Sequence, residues 1–188
     1  VREALQGLER MGLVSIVHGE RARVLPLSAE SVVGQMSDIV IHLLSSSRGL
    51  LEHLQEARLL FETGMVRIAA ERATDSDIES LRRSLEGQRL NMTDSAKSLH
   101  TDMAFHRALI AISRNPIHCA VGQGILDWLA NFYVAPLPGH SAEVTARVDY
   151  ESITKCIAAR DADGAVKAMT EHLKRTSNLY RGIDPVAK

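Results

Sequence analysis

An aspartate and a histidine four residues apart, Asp102 and His106, stand in the stretch LHTDMAFHRALIAISRNPIH over residues 99–118. Leu99, Met103, Leu109 and Ile110 define an apolar helical stripe there, and both polar residues fall inside it. On a helix, positions four apart share a face, so one ion could meet both side chains. An ionised carboxylate on a buried stripe is costly unless it is paired or ligates a cation. Near the C-terminus, His172 shares a stripe with Ala165, Met169, Leu173 and Thr176, so it also points inward. One carboxylate and two imidazoles suit zinc and related transition metals. The simpler reading is that Asp102 and His106 pair with each other, because a D-x-x-x-H spacing is common by chance. Spacing alone leaves both readings open.

Arg58, in EARLLFE, has Leu54 and Phe61 as helical neighbours, so its stem can lie along the core. Its guanidinium can form a surface pair with Glu62, worth about 0.2–0.5 kcal/mol. It can instead grip an anionic ligand, since its planar fork matches a carboxylate. Asn115 precedes Pro116 and reads first as a helix-start signal. His100, His118 and His140 are expected on the surface or in loops, His140 following the PLPG turn.

These residues must be positioned by helices. Helical patterns cover residues 29–45, 50–73, 75–91, 95–113, 116–134, 141–160 and 162–181, separated by breakers such as SSSRG, TDSD, RNP and RDADG. Ser28 is placed to cap the first of them. The fold class predicted is mainly all-α: an antiparallel helical bundle.

A different module precedes it. Residues 1–11 carry a helical stripe that Gly12 stops; residues 13–17 and 22–25 read as two strands around a turn at His18-Gly19-Glu20-Arg21. A helix feeding a hairpin is the C-terminal part of a winged helix-turn-helix, although any helix plus hairpin would look similar. In the winged-helix reading the helix enters the major groove with Arg2 near its start, and His18, Gly19 and Arg21 form the wing that meets DNA, with Arg23 adding charge. The helical periodicity is already running at Val1, so the chain is expected to extend further toward the N-terminus.

Bulk properties narrow the class. The chain has 188 residues, 45% hydrophobic and 4% aromatic, with a formal net charge of −1, which does not by itself announce a nucleic-acid partner. Cys119 and Cys156 have no CxxC spacing and read as buried free thiols of a reducing, cytoplasmic compartment. No apolar run approaches the ~20 residues of a membrane span.

The phrases VREALQGLERMGLV and HGERARV resemble the end of the winged-helix domain in GntR-superfamily transcription regulators. EARLLFETGMVRIAAERATDSDIESL, DMAFHRALIAISRNPI and AARDADGAVKAMTEHL resemble the helical FCD effector domain of the FadR subfamily. The resemblance implies residues 1–25 as part of a DNA-binding domain, 26–30 as linker, 31–182 as effector domain and 183–188 as tail. It also implies a DNA-binding homodimer, a repressor of a sugar-acid or small-carboxylate operon, with GERARV and LFETGMVRIAAERATD similar to its sialic-acid-responsive members. Many such domains hold zinc or nickel on one Asp and three His. Asp102, His106 and His172 match three of those ligands, and Tyr150 stands at the fourth. The metal is then held by three residues, or Tyr150 adds its phenol oxygen, or the metal is lost and the polar groups contact the effector directly. Arg58, Asn115 and Tyr150 are the effector-binding residues the resemblance implies. The competing readings are a metal-dependent hydrolase using Asp102, His106 and His172, and a plain helical dimerisation module.

Overall fold

The computed structural model describes residues 2–17, 19–26, 28–90, 95–132 and 140–180. Helix α1 (Arg2–Arg10) is followed by strands β1 (Val14–Ser15) and β2 (Arg23–Val24), and then by α2 (Ala29–Ser45), α3 (Arg48–Arg72), α4 (Asp75–Leu90), α5 (Ser95–Ala111), α6 (Pro116–Ala130), α7 (His140–Ala158) and α8 (Ala162–Tyr180). The seven helical patterns are all present, with ends displaced by up to four residues. The hairpin is shorter than its β-branched residues suggest. Its antiparallel ladder pairs Val14 with Val24 and Ser15 with Arg23, and the backbone of Glu20 already turns onto Val17. Gly12 ends α1 with φ +63°, and a β-carbon there would collide with Gln35.

Helix boundaries follow local chemistry. Ser28 accepts from the backbone of Ser31 at 3.1 Å, and the Ser31 hydroxyl accepts from the backbone of Ser28, closing a capping box on α2. The linker ahead of α2 therefore ends at Ser28. Thr74 and Asp77 do the same for α4: the Thr74 backbone donates to Asp77 at 2.7 Å, and the Asp77 backbone donates to the Thr74 hydroxyl at 3.3 Å. Two arginines occupy the left-handed positions after helices where glycine is usual, Arg114 at φ 52° and Arg160 at φ 61°. Each offsets that strain with its guanidinium. Arg160 donates to the carbonyls of Ala70 and Ala73, which end α3, and Arg114 bonds Asp77 at 2.7 Å.

Helix α3 is the spine. It packs on α8, α5, α6, α7 and α2, while α2 packs on α6 and α3. The core is continuous from Val66 and Ala69 on α3 through Phe105 and Leu109 on α5 to Ile153 on α7 and Met169 on α8. Close approach of α6 to its neighbours depends on two glycines. A β-carbon at Gly122 would lie 2.6 Å from Ile110, and one at Gly124 would lie 2.5 Å from Val33.

Candidate metal and effector site

Four helices bring the site together. Helix α5 supplies Asp102 and His106, one turn apart; α8 supplies His172; α7 supplies Asp149 and Tyr150; and α3 supplies Arg58 and Glu62. Candidate ligand atoms of Asp102, His106 and His172 all lie within 4.8 Å of one another, with both histidines buried and Asp102 half-buried. The two imidazole rings are stacked, centroids 5.4 Å apart.

Each histidine is backed by a carboxylate on its far nitrogen. His106 Nδ1 bonds Glu62 Oε2, and His172 Nδ1 lies 3.3 Å from Asp149 Oδ2. Burial alone would raise the Glu62 carboxyl, but the charges and hydrogen bonds of Arg58 and His106 outweigh it and hold it down at about 2. Asp149 is likewise below the ordinary carboxylate range: burial pushes it up, and His172 and Arg175 pull it further down. Ionised carboxylates only accept hydrogen bonds, so each imidazole donates from Nδ1, which leaves Nε2 as the nitrogen facing the cluster. Burial lowers His172, which favours its neutral form. Its Nε2 is buried without a hydrogen-bond partner among the described residues. An unsatisfied buried polar atom costs about 1–3 kcal/mol, so a lone pair left in this position fits a cation. A carboxylate–imidazole pair behind each donor nitrogen is the support that metal-ligating histidines ordinarily have. The residues present fit a zinc-like dication.

Tyr150 is packed into the same cluster. Its hydroxyl donates to Asp102 Oδ1 and lies 3.3 Å from His106 Nε2. Its ring centroid is 4.3 Å from that of Phe105 and 4.6 Å from that of His172. Burial first, and the Asp102 charge second, push the phenol well above its ordinary value, so it is neutral. Asp102 and His106 do not pair with each other directly; Tyr150 stands between them. One turn further along α7, the buried Thr154 hydroxyl has no partner among the described residues.

Arg58 forms the expected pair with Glu62, Nε to Oε1 at 2.6 Å, but not on a surface: the side chains are 3% and 1% exposed. The apolar neighbours that let its stem lie along the core also draw its head inward. Asn115 sits at the start of α6, where its side chain accepts from the backbone of Ile117 at 2.9 Å as the helix cap. His118 corrects the expectation of a surface or loop residue. It lies half-buried in α6, with its ring edge-on to Phe61 and its Nδ1 buried. His100 is exposed. The cysteines are free and half-buried rather than fully buried, because each sits at the edge of its helix's inward face. In the N-terminal module Gly19 takes φ +85°, Arg21 is exposed, and Arg23 is tied to Glu20 at 3.1 Å. Arg2 opens α1, while its side chain, His18, the His140 side chain and the tail at 183–188 lie outside the described residues.

Sequence reasoning missed Asp149, and it placed Glu62 in a surface pair rather than in the interior behind His106. Glu62 carried a usable signal: it shares a helical stripe with Val66 and Ala69, as Asp102 and His106 share theirs with Met103 and Leu109.

A helical bundle with this cluster, preceded by a helix and a hairpin, defines a class of ligand-sensing domain. The FCD domain family matches residues 53–175, and the chain belongs to it. The chain is 38% identical over 185 residues to the HTH-type transcriptional repressor NanR of Klebsiella aerogenes, covering 97% of this chain and 71% of that protein. It is 39% identical over 191 residues to the NanR repressor of Cronobacter sakazakii, covering 100% of this chain and 73% of that one. In three dimensions it resembles Streptococcus agalactiae GntR, with TM-score 0.64, 20% identity, and coverage of 94% of this chain and 80% of that one. It is equally similar to Escherichia coli McbR/YncC, with TM-score 0.64, 18% identity, and coverage of 97% and 84%.

Proposed function

We propose that the chain acts as a NanR-like, ligand-responsive DNA-binding transcription repressor whose helical domain holds a zinc-like cation on Asp102, His106 and His172 and binds a small anionic effector beside it. The observation that carries the reading is the pair of carboxylate-backed histidines presenting Nε2 toward Asp102. The repressor relatives favour it over the hydrolase and the plain dimerisation module. When bound, the cation supplies a Lewis-acidic centre for a sugar-acid or other carboxylate. Arg58 and Glu62 neutralise each other in the interior, and that pair orients His106. Thr154 offers a buried hydroxyl to a polar group of the ligand. α1 and the hairpin, with Arg2, His18, Gly19 and Arg21, present the chain to DNA.

An effector can change DNA binding only through unequal affinity for two arrangements of the protein. A homodimer supplies such arrangements, because two half-sites need two related winged helices. Helix α2 supports this assembly. Val32, Met36, Ile39 and Leu43 recur at i, i+4, i+7 and i+11 along it, and all four are exposed. The test is a thermal-shift screen of sugar acids, sialic acid among them, and small carboxylates, with and without zinc. The expected result is an acid that stabilises the zinc-loaded protein and loses its effect in His106→Ala. Stabilisation that is indifferent to zinc and to His106 overturns the reading.

A further inference from the structure

Resting on the effector reading above, we infer that the buried Thr154 hydroxyl selects the effector: it pairs with a hydroxyl of a polyhydroxylated acid, so the site prefers a sugar acid to a simple carboxylate. Thr154 lies in α7 one turn beyond Tyr150, whose hydroxyl touches Asp102 and whose ring packs on His172. Positions four apart share a helix face, and four residues of helix rise about 6 Å. Side chains on a helix tilt toward its N-terminus, so Thr154 leans back toward the turn that carries Tyr150. Acetate is too short to span that separation from the cluster, whereas a longer hydroxylated chain can.

Other threonines in the bundle show what this hydroxyl forgoes. A threonine inside a helix can satisfy its hydroxyl by donating to the carbonyl four residues earlier. Thr63 does so to Leu59 at 2.7 Å, Thr170 to Val166 at 2.7 Å and Thr176 to His172 at 3.1 Å. Thr154 is 3% exposed, and its hydroxyl has no partner among the described residues. A buried hydroxyl left unpaired weakens the unliganded fold, while valine has the same shape and nearly the same helix propensity. A side chain that weakens the fold and stands one turn from the cluster fits a ligand contact. The hydroxyl both donates and accepts, so it matches an alcohol group. An acid without hydroxyls leaves it sealed from water and unpaired, which is how a buried polar group discriminates between ligands.

The test sets gluconate, glucuronate and sialic acid against hexanoate and acetate in calorimetric titrations of the zinc-loaded chain, and reads Tm of the metal-free chain alongside. The expected result is a hydroxylated acid that binds about tenfold or more tighter than hexanoate, with that preference lost in Thr154→Val and kept in Thr154→Ser. Without any ligand, Thr154→Val should raise Tm by about 2–4 °C. Thr170→Val, which loses a paired hydroxyl, should give no such rise. A lowered or unchanged Tm in Thr154→Val shows that the hydroxyl is satisfied within the fold and overturns the inference. So does a preference that survives Thr154→Val, or the absence of any preference in the unaltered chain. Those outcomes leave the effector reading standing where an acid still binds in a His106-dependent way. No His106-dependent binding of any of these acids by the unaltered chain overturns both the inference and the reading on which it rests.

Discussion

Glu62 on α3 accepts a hydrogen bond from His106 Nδ1 on α5 in the interior of the bundle, and this bond selects the nitrogen that faces Asp102. Replacing Glu62 with Gln removes the obligate acceptor and the charge that fixes the imidazole tautomer. Metal affinity measured by calorimetry should fall about 10–100-fold in Glu62→Gln, although no ligand has been touched. Unchanged affinity would show that Glu62 serves packing alone.

Arg58 and Glu62 form a buried pair in which each charge depends on the other. Arg58→Ala leaves an ionised carboxylate in the core held by His106, and should cost about 3–5 kcal/mol in urea unfolding. The double replacement Arg58→Met, Glu62→Leu removes both charges and should recover most of that loss. It should still bind metal weakly, because His106 loses its orienting acceptor. A double variant as unstable as the single one would contradict this account.

Asp77 gives a pH dependence at a distance from the cluster. Burial raises its carboxyl, but hydrogen bonds from the Thr74 backbone and hydroxyl and from Arg114 outweigh this and hold it below the ordinary value of 3.8. A depressed carboxyl stabilises the fold above the unfolded value, and the contribution is lost as pH falls through the folded one. Asp77→Asn should therefore be less stable than the unaltered chain at pH 7, by about 1 kcal/mol as for a helix cap. The two unfolding curves should converge in strong acid. A constant difference at all pH values would assign the effect to geometry rather than charge.

The apolar stripe of α2 predicts an oligomeric state. Ile39→Asp places a charge at its most exposed position, and light scattering should show a dimer replaced by a monomer with unchanged helicity. A monomeric unaltered chain, or a dimer insensitive to Ile39→Asp, would place the contact elsewhere.

The helices were legible because their signals are local. Ser28, Asn115 and the RDADG turn act within one or two turns of chain, and periodicity marks the inward faces of α5 and α8. Asp102, His106 and His172 were legible for the same reason, as polar residues on apolar stripes. Asp149 was not, because what makes it functional is His172 and Arg175 on the next helix, a relation that no spacing within α7 encodes. The Arg58–Glu62 pair was legible as a pair and misplaced in depth. An i,i+4 ion pair looks the same at a surface and in a core until the neighbours are known. The hairpin shortened for a related reason: β-branched residues favour extended backbone, but a ladder needs a partner at every step, and these two strands align at two.

Helix α3 runs past every element that contributes to the cluster, and it also abuts α2, which leads back to the hairpin. Glu62 lies near its middle, so any shift of His106 as the cluster fills is felt first by a rod rather than a loop. That rod is 25 residues long, so a displacement at its centre would act on the whole helix rather than on one loop. The length of α3, more than any residue on it, sets how far a rearrangement at the cluster could be carried toward α2 and the hairpin that precedes it.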